Sequence, residues 1–506
     1  MQDFTALVSW PAAPLTDFLV RKSLLSLDPP PSTVTSLPGD YVSSPRNLLQ
    51  WSTYDLIGHD LTHSYGADSR VLSSSYIIRK ALIRKHFLSR CIHNYLVKHP
   101  ESLLSYASPQ TWELEISYAD ELDEMWSDDL YDLGQELDKR SDRWWILKPG
   151  MADRGMGIRL FHSKEQLQRI FEGFEEDSDE EERPGPDTNV VTSQLRHFVI
   201  QEYLSNSILV DPLEVPLDGR PKPRLKDLHG HKFHLRVYCV ASGALTVYMY
   251  TRILSLFSAV RYAAPTSAVN DEDAVNGDLA AHLTNTSLQG ERGEAGVRLL
   301  DELVGCHILS ASPSPQEHKQ PALPRHQLRP PRAMGEVLEM DHVRSSSQAQ
   351  VKEARRTAEA HHLSPVLAQE DIEGIKAQIS DVLAETFKAA LEMSVHFQPL
   401  PNAFELYGVD FLVTHTAPFS SPSTRKYQVH ILEVNSEPAI ELTGPRLTWI
   451  LEDLFRAIGK VCVAPFFTPA QFKEGEEHDS STWQVGDTRE ALRKCLEVQV
   501  RGAGSW

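Results

Sequence analysis

Positive charge is in short supply in this chain. Its 506 residues include 50 Lys and Arg against 70 Asp and Glu, a formal charge of −20 with His neutral. That balance disfavours nucleic acid as the main ligand, although a local basic pocket stays open. Cysteine is scarce as well. Cys91, Cys239, Cys306, Cys462 and Cys495 are scattered, odd in number and free of CxxC spacing. Such usage points to a reducing compartment and argues against a structural zinc site. No apolar run approaches the roughly 20 residues that a membrane helix needs, so no membrane partner is expected. The start, "MQDFTALVSW", has an early Asp and no basic region. Neither a secretory signal nor a transit peptide is expected there, and a cytoplasmic location follows. Internal repeats and a Walker A GK[ST] are also missing. With 41% hydrophobic and 24% charged residues, the chain reads as globular, with room for two or three domains.

What is present patterns as a βα start, a long helix, and a strand-rich body with helices appended. "FTALVSW" reads as a strand and "PLTDFLVRKSLLSL" as a helix. "SSSYIIRKALIRKHFLSRCIHNYLVKHP" reads as one long helix that Pro100 stops. Its basic residues Arg79, Lys80, Arg84, Lys85 and Arg90 read mostly as a solvated face. "HKFHLRVYCVASGALTVYMYTRIL" reads as a hairpin through Ser242-Gly243, and "DIEGIKAQISDVLAETFKAALEMS" as an amphipathic helix. The acidic "EGFEEDSDEEERPGPDTN" and the proline-rich 311–333 stretch have the composition of mobile insertions. The order is not a regular βαβα alternation, which disfavours a doubly wound parallel sheet.

Six stretches carry chemistry. "LKPGMADRGMGI" joins two strands through Gly150, Gly155 and Gly157, a loop whose backbone N–H groups could lie on phosphate. Lys148 stands at the end of the first strand, in reach of such a phosphate. "VIQEYL" offers Glu202 and the backbone of Tyr203 and Leu204 to an adenine edge. "HKFHLRVY" places Lys232, His234 and Arg236 on one strand face, and "HLTNTS" adds Thr284 and Asn285. Finally, "GVDFLV" and "VHILEVNSEPAI" carry Asp410, Glu433 and Asn435 where strands should be apolar. If the two runs pair, these groups converge. Either magnesium or a buried salt bridge to Lys232 or Arg236 would then offset the cost of the carboxylates.

Together with "SSYIIRKALIRK", these stretches resemble the tubulin–tyrosine ligase family, a branch of the ATP-grasp enzymes, in its fungal form. They occur in family order over roughly residues 60–465. The resemblance implies an α+β, ATP-grasp fold with a small N-terminal α/β domain before it. The expected limits are 1–75 for that domain and 76–475 for the ligase-like body, whose parts meet near 215. Insertions are expected near 172–192 and 308–362, and a tail over 476–506. Carried over by position, Lys80 and Lys148 contact phosphates, and Gly155 and Gly157 belong to the loop above them. Glu202, Tyr203 and Leu204 hold the adenine. Lys232, His234, Thr284 and Asn285 lie against the nucleotide, and Arg236 lies near an acyl phosphate. Asp410, Glu433 and Asn435 bind magnesium. Arg236, Lys148 and Glu433 form the expected catalytic set.

The implied reaction is ATP-dependent joining of a peptide carboxylate to an amino acid, with the α-tubulin C-terminal tail as acceptor and free tyrosine as donor. Two departures stand out. His234 replaces the family's Asp, and "YTRILSLFSAVRYAAP" departs from the usual Tyr-Arg-Glu-Gly pattern. The acidic 172–182 stretch would also repel an acidic tubulin tail. Two rivals remain: a ligase for another amino acid, and a nucleotide-binding scaffold in cytoplasmic RNA granules, to which some fungal relatives are linked.

Overall fold

The structure is a computed structural model. It describes residues 3–37, 47–65, 70–140, 142–150, 157–179, 196–217, 219–265, 279–284, 293–310, 365–416, 425–468 and 483–499. Three sheets organise them. The first is parallel, in the order β2-β1-β3-β4, with β1 Thr5–Ser9, β2 Ser32–Val34, β3 Leu48–Ser52 and β4 Val71–Ser73. Helix α1 (Pro14–Leu25) packs beside it.

The expected long helix starts late. Residues 74–79 form a bent, non-helical lead, bridged at Ile78 to Gln398; a single turn of helix follows at Lys80–Ile83, and helix α2 spans Lys85–Lys98 after a break at Arg84. Tertiary burial overrides the helical pattern here. Tyr76 is wholly buried, its hydroxyl donates to the Gly243 carbonyl, and Arg79 forms a buried ion pair with Glu405. Arg79 is therefore not part of a solvated face.

The second sheet is antiparallel, in the order β5-β8-β6-β7. Its strands are β5 Thr111–Glu115, β6 Trp145–Pro149, β7 Arg159–Phe161 and β8 His197–Glu202. Helix α3 (Lys164–Asp179) covers it and buries Phe171 and Phe174. The insertion expected from 172 therefore begins no earlier than 180, because these aromatics hold the acidic segment as helix. Residues 180–195 and 311–364 lie outside the described residues.

The third sheet has eight strands and holds the centre. It comprises β9 Phe233–Ser242, β10 Thr246–Tyr250, β11 Leu254–Phe257, β12 Val297–Leu299, β13 Phe404–His415, β14 Tyr427–Ser436, β15 Thr488–Arg489 and β16 Leu492–Glu497. β16 pairs with β10, so the stretch expected as a tail contributes a strand, with Leu492 fully buried. Alternation divides β9 cleanly. Phe233, Leu235, Val237, Cys239 and Ala241 enter one core, under helix α4 (Gln369–Leu391). Tyr238 and Val240 enter the other, between the sheet, the N-terminal strands and helix α5 (Thr448–Ile458). His234 and Arg236 share that second face but lie beyond its apolar cover.

Glu405 ties these parts together. Its buried carboxylate also accepts from the Tyr76 N–H at 3.1 Å and the Tyr407 hydroxyl at 2.8 Å. Glu405→Ala strands all three donors, so a loss of about 3–5 kcal/mol is expected in urea unfolding. A change below about 1 kcal/mol would show that the lead is not anchored there.

Candidate functional site

Two sheets form a cleft. Lys148 and Glu202 reach it from β6 and β8, and the central sheet supplies Lys232, His234, Asp410 and Glu433. Thr284 enters from the 279–284 segment. Ile146, Ile158, Leu283, Leu412 and Leu432 give the cleft an apolar side. It thus offers one surface to a flat ring and another to charge.

The acidic strands do pair, and Asp410 stands opposite Glu433. A bulge follows at once, because Phe411 pairs with Ile431 and leaves Leu432 extra. This changes which face Glu433 occupies. Val429, Ile431 and Val434 all enter the core, while Glu433 and Asn435 turn out beside Asp410. The Asn435 amide lies 3.2 Å from Glu433 Oε1 and 3.5 Å from Asp410 Oδ2.

Arg236 grips Asp410 with two hydrogen bonds, at 2.5 and 2.9 Å. Burial works against the guanidinium charge, but Asp410 outweighs it and raises the Arg236 pKa. Lys85 lies 3.4 Å from Glu433. Burial pushes the Glu433 carboxyl up, yet Lys85, Lys148, Asn435 and Arg236 hold it well below the usual carboxylate range. The two acids thus converge, as a magnesium site of two carboxylates and an amide oxygen requires. The set fits the ion if Asn435 turns its oxygen inward. Among the described residues no group of three His, Cys, Asp or Glu side chains is arranged to hold a metal.

Lys148 and Lys232 are more unusual. Both are buried, and among the described residues neither forms an ion pair. Lys148 donates to Gln201 Oε1 at 2.7 Å. Lys232 donates to the Leu204 carbonyl at 3.3 Å, its ammonium 3.9 Å from the Tyr203 ring centre. Burial lowers Lys148 to about 8 even though Glu433 opposes the shift. Burial and then Lys148 lower Lys232 to about 7. His234 shares a 2.5 Å hydrogen bond with Thr284. Its Nε2 is buried without a hydrogen-bond partner, 3.6 Å from Asp410, and burial lowers its pKa.

Other expected residues stand less simply. Lys80 is exposed and does not line the cleft; Lys85, read as surface, reaches Glu433 instead. The break at Arg84 sets the course of α2, and no sequence period announces it. Glu202 and Tyr203 line the cleft, but β8 is an inner strand. The Glu202 carboxylate is held by Arg143 at 2.6 Å, and the Tyr203 N–H donates to the Trp144 carbonyl. Gly157 has φ +69° beside Pro149, as a tight loop end requires. Gly155 and Asn285 lie outside the described residues. His282, which shares a 2.8 Å hydrogen bond with the Tyr203 hydroxyl, was not singled out from sequence.

Gly408 lets the strands close here. A Cβ at that position would lie 2.7 Å from Pro438 and 3.2 Å from Arg236 Cδ. Gly408→Ala is therefore expected to cost about 1–3 kcal/mol in urea unfolding. An unchanged midpoint would mean that Pro438 yields freely.

Comparison with known proteins bears on the family and the fold. The tubulin-tyrosine ligase family profile matches residues 75–307 and 338–471. The chain is 33% identical over 430 residues to the Saccharomyces cerevisiae protein named probable tubulin–tyrosine ligase PBY1, covering 82% of this chain and 46% of that protein. The chain thus spans about half the length of that relative. It is 31% identical over 467 residues to a probable tubulin–tyrosine ligase of Schizosaccharomyces pombe, covering 89% of this chain and 88% of that one. A crystal structure of the C-terminal domain from K. lactis Pby1 superposes with a TM-score of 0.58 at 27% identity, over 99% of this chain and 100% of that domain. That protein is described as an ATP-grasp enzyme interacting with the mRNA decapping enzyme Dcp2. With profile, relatives and fold in agreement, this chain belongs to the tubulin–tyrosine ligase family and has its ATP-grasp fold.

Proposed function

We propose that the chain is an ATP-dependent ligase that activates a protein carboxylate and joins it to the amine of an amino acid. The observation that carries this reading is the pair of buried lysines that form no ion pair among the described residues, Lys148 and Lys232, lining one cleft with the carboxylates of Asp410 and Glu433. A triphosphate supplies the close ion-pair partners that both lysines lack. Magnesium, held by Asp410, Glu433 and Asn435, would neutralise charge on the transferring phosphoryl group.

The apolar side of the cleft receives the adenine, and Leu204 and Tyr203 border it. Lys148 and Lys232 hold phosphate oxygens. Arg236 stands where an incoming carboxylate would meet the γ-phosphate. The carboxylate oxygen attacks phosphorus, the β–γ bridge bond breaks and ADP leaves. The amine nitrogen then attacks the acyl carbon, loses a proton, and inorganic phosphate departs. Arg236 remains as a fixed positive charge through both steps. Tyrosine and the α-tubulin tail are the first donor and acceptor to try, because the family profile and the relatives' names point to them.

A second reading has its own support. The K. lactis relative is described as interacting with Dcp2, and His234 presents an Nε2 without a hydrogen-bond partner where the resemblance expects a carboxylate. In that reading the chain binds nucleotide, turns it over weakly or not at all, and serves as a scaffold in cytoplasmic granules.

ADP release, measured with detyrosinated tubulin and each amino acid in turn, separates the two. Turnover that needs both acceptor and donor, and falls about a hundredfold or more in Glu433→Gln, supports the ligase. Tight ATP binding with no turnover in any pairing supports the scaffold.

The lysines give a second test. A bound triphosphate favours their charged forms and so raises both pKa values from about 8 and about 7. Near pH 8, ATP binding should take up protons, and affinity should fall as pH rises from about 7 to 9. Calorimetry in buffers of different ionisation enthalpy reads the uptake. Proton release, or none, would remove these lysines from the phosphate site.

A further inference from the structure

A larger cavity, of about 550 Å³, opens elsewhere on the same face of the central sheet. Trp51 from the end of β3, Phe404 and Leu406 from β13, and Phe455 from α5 give it apolar walls. Five charged side chains line it: Arg79, Glu405, Asp55, Glu437 and Glu441. The first two cancel in their buried ion pair, with the Arg79 guanidinium 4.0 Å from the Tyr54 ring centre. Three carboxylates are left. All three belong to exposed residues, and among the described residues no ion pair reaches them. Two are fixed in place. Glu437 accepts from the Tyr54 N–H at 2.7 Å, and Glu441 accepts from the Thr16 hydroxyl at 3.3 Å.

This cavity adjoins the cleft. Phe404, Leu406, Gly408 and Asp410 alternate onto one face of β13, so the strand runs from the cavity into the cleft. Glu437 lies two residues beyond Asn435, and Pro438, packed on Gly408, marks the boundary. From Leu406 to Asp410 is roughly 14 Å of strand, about four extended residues.

We propose that this cavity receives the acceptor chain, and that the acceptor carries basic and large apolar residues about four positions before the carboxylate it offers. The proposal rests on the ligase reading of the cleft. An acidic tail would bring like charge to Asp55, Glu437 and Glu441. A lysine or arginine would find a carboxylate at the mouth, and an aromatic or aliphatic neighbour would find the apolar wall.

The test is fluorescence anisotropy with the whole chain and a labelled peptide. The peptide carries alternating Lys and Trp ahead of a glycine spacer and a free C-terminus. Its counterpart has Glu in place of each Lys. The basic peptide should bind at least about tenfold more tightly, and added salt should narrow the gap. The double variant Asp55→Lys with Glu441→Lys should lose that preference. Ala12→Trp, which fills the cavity without changing charge, should weaken the basic peptide about tenfold. Thermal midpoints read alongside separate a lost site from a lost fold. Equal affinity for the two peptides, preference for the acidic one, no binding of either, or indifference to both variants overturns the proposal. ADP release is scored separately. Basic-peptide preference without turnover would defeat the ligase reading and leave the cavity's selectivity standing. Turnover with an acidic tail as good as with a basic one would do the reverse.

Discussion

The ion pair between Arg236 and Asp410 is the constraint on which the cleft depends. Both residues sit on neighbouring strands within the central sheet, directly opposite in register. A carboxylate buried there without a partner would cost several kcal/mol. The pair therefore fixes which face of β9 and β13 is polar. Neighbouring features conform to it. Gly408 has no side chain because Pro438 and Arg236 occupy the space. The bulge at Leu432 brings Glu433 and Asn435 to the same spot while keeping Ile431 and Val434 in the core. Lys85 then meets the second carboxylate.

Charge is distributed unevenly along this one sheet face. At the cleft end, two carboxylates lie near Arg236, Lys85 and two buried lysines, an arrangement that favours a highly charged anion with a cation beside it. At the other end, an apolar cavity carries an excess of carboxylates. The strand that carries Asp410 continues between them. Under the proposed ligase reading, such opposed ends would suit a nucleotide at one and an acceptor at the other, because each would repel the other's ligand. The net charge of −20 conceals this division.

Much of the cleft was legible because its chemistry is local. The period-two pattern of "KFHLRVY" puts Lys232, His234 and Arg236 on one face, and the strands bear this out. The glycine run between two strands, the hairpin at Gly243 and the 369–391 helix were equally plain. Less legible was anything decided by distant partners. Residues 74–79 have a helical pattern, yet Glu405 holds them as a non-helical lead. Lys85 has the look of a surface lysine and is turned inward by a break in its helix. The stretch from 476 has the composition of a tail, yet one part of it completes a sheet. In each case a group far along the chain offers burial or a counter-charge that local propensity cannot anticipate.

By itself the sequence determined the residue types of the site, their order and the alternation that gathers most of them, because that alternation depends on the two-residue period of a strand. It also determined family membership, since the ordered motifs persist at about 30% identity. Only the tertiary structure decided that Arg236 rather than Lys232 answers Asp410, that a bulge turns Glu433 away from the core, and that an acid-rimmed cavity joins the cleft. Those outcomes are set by burial, where one unpaired charge outweighs the preferences of the residues around it.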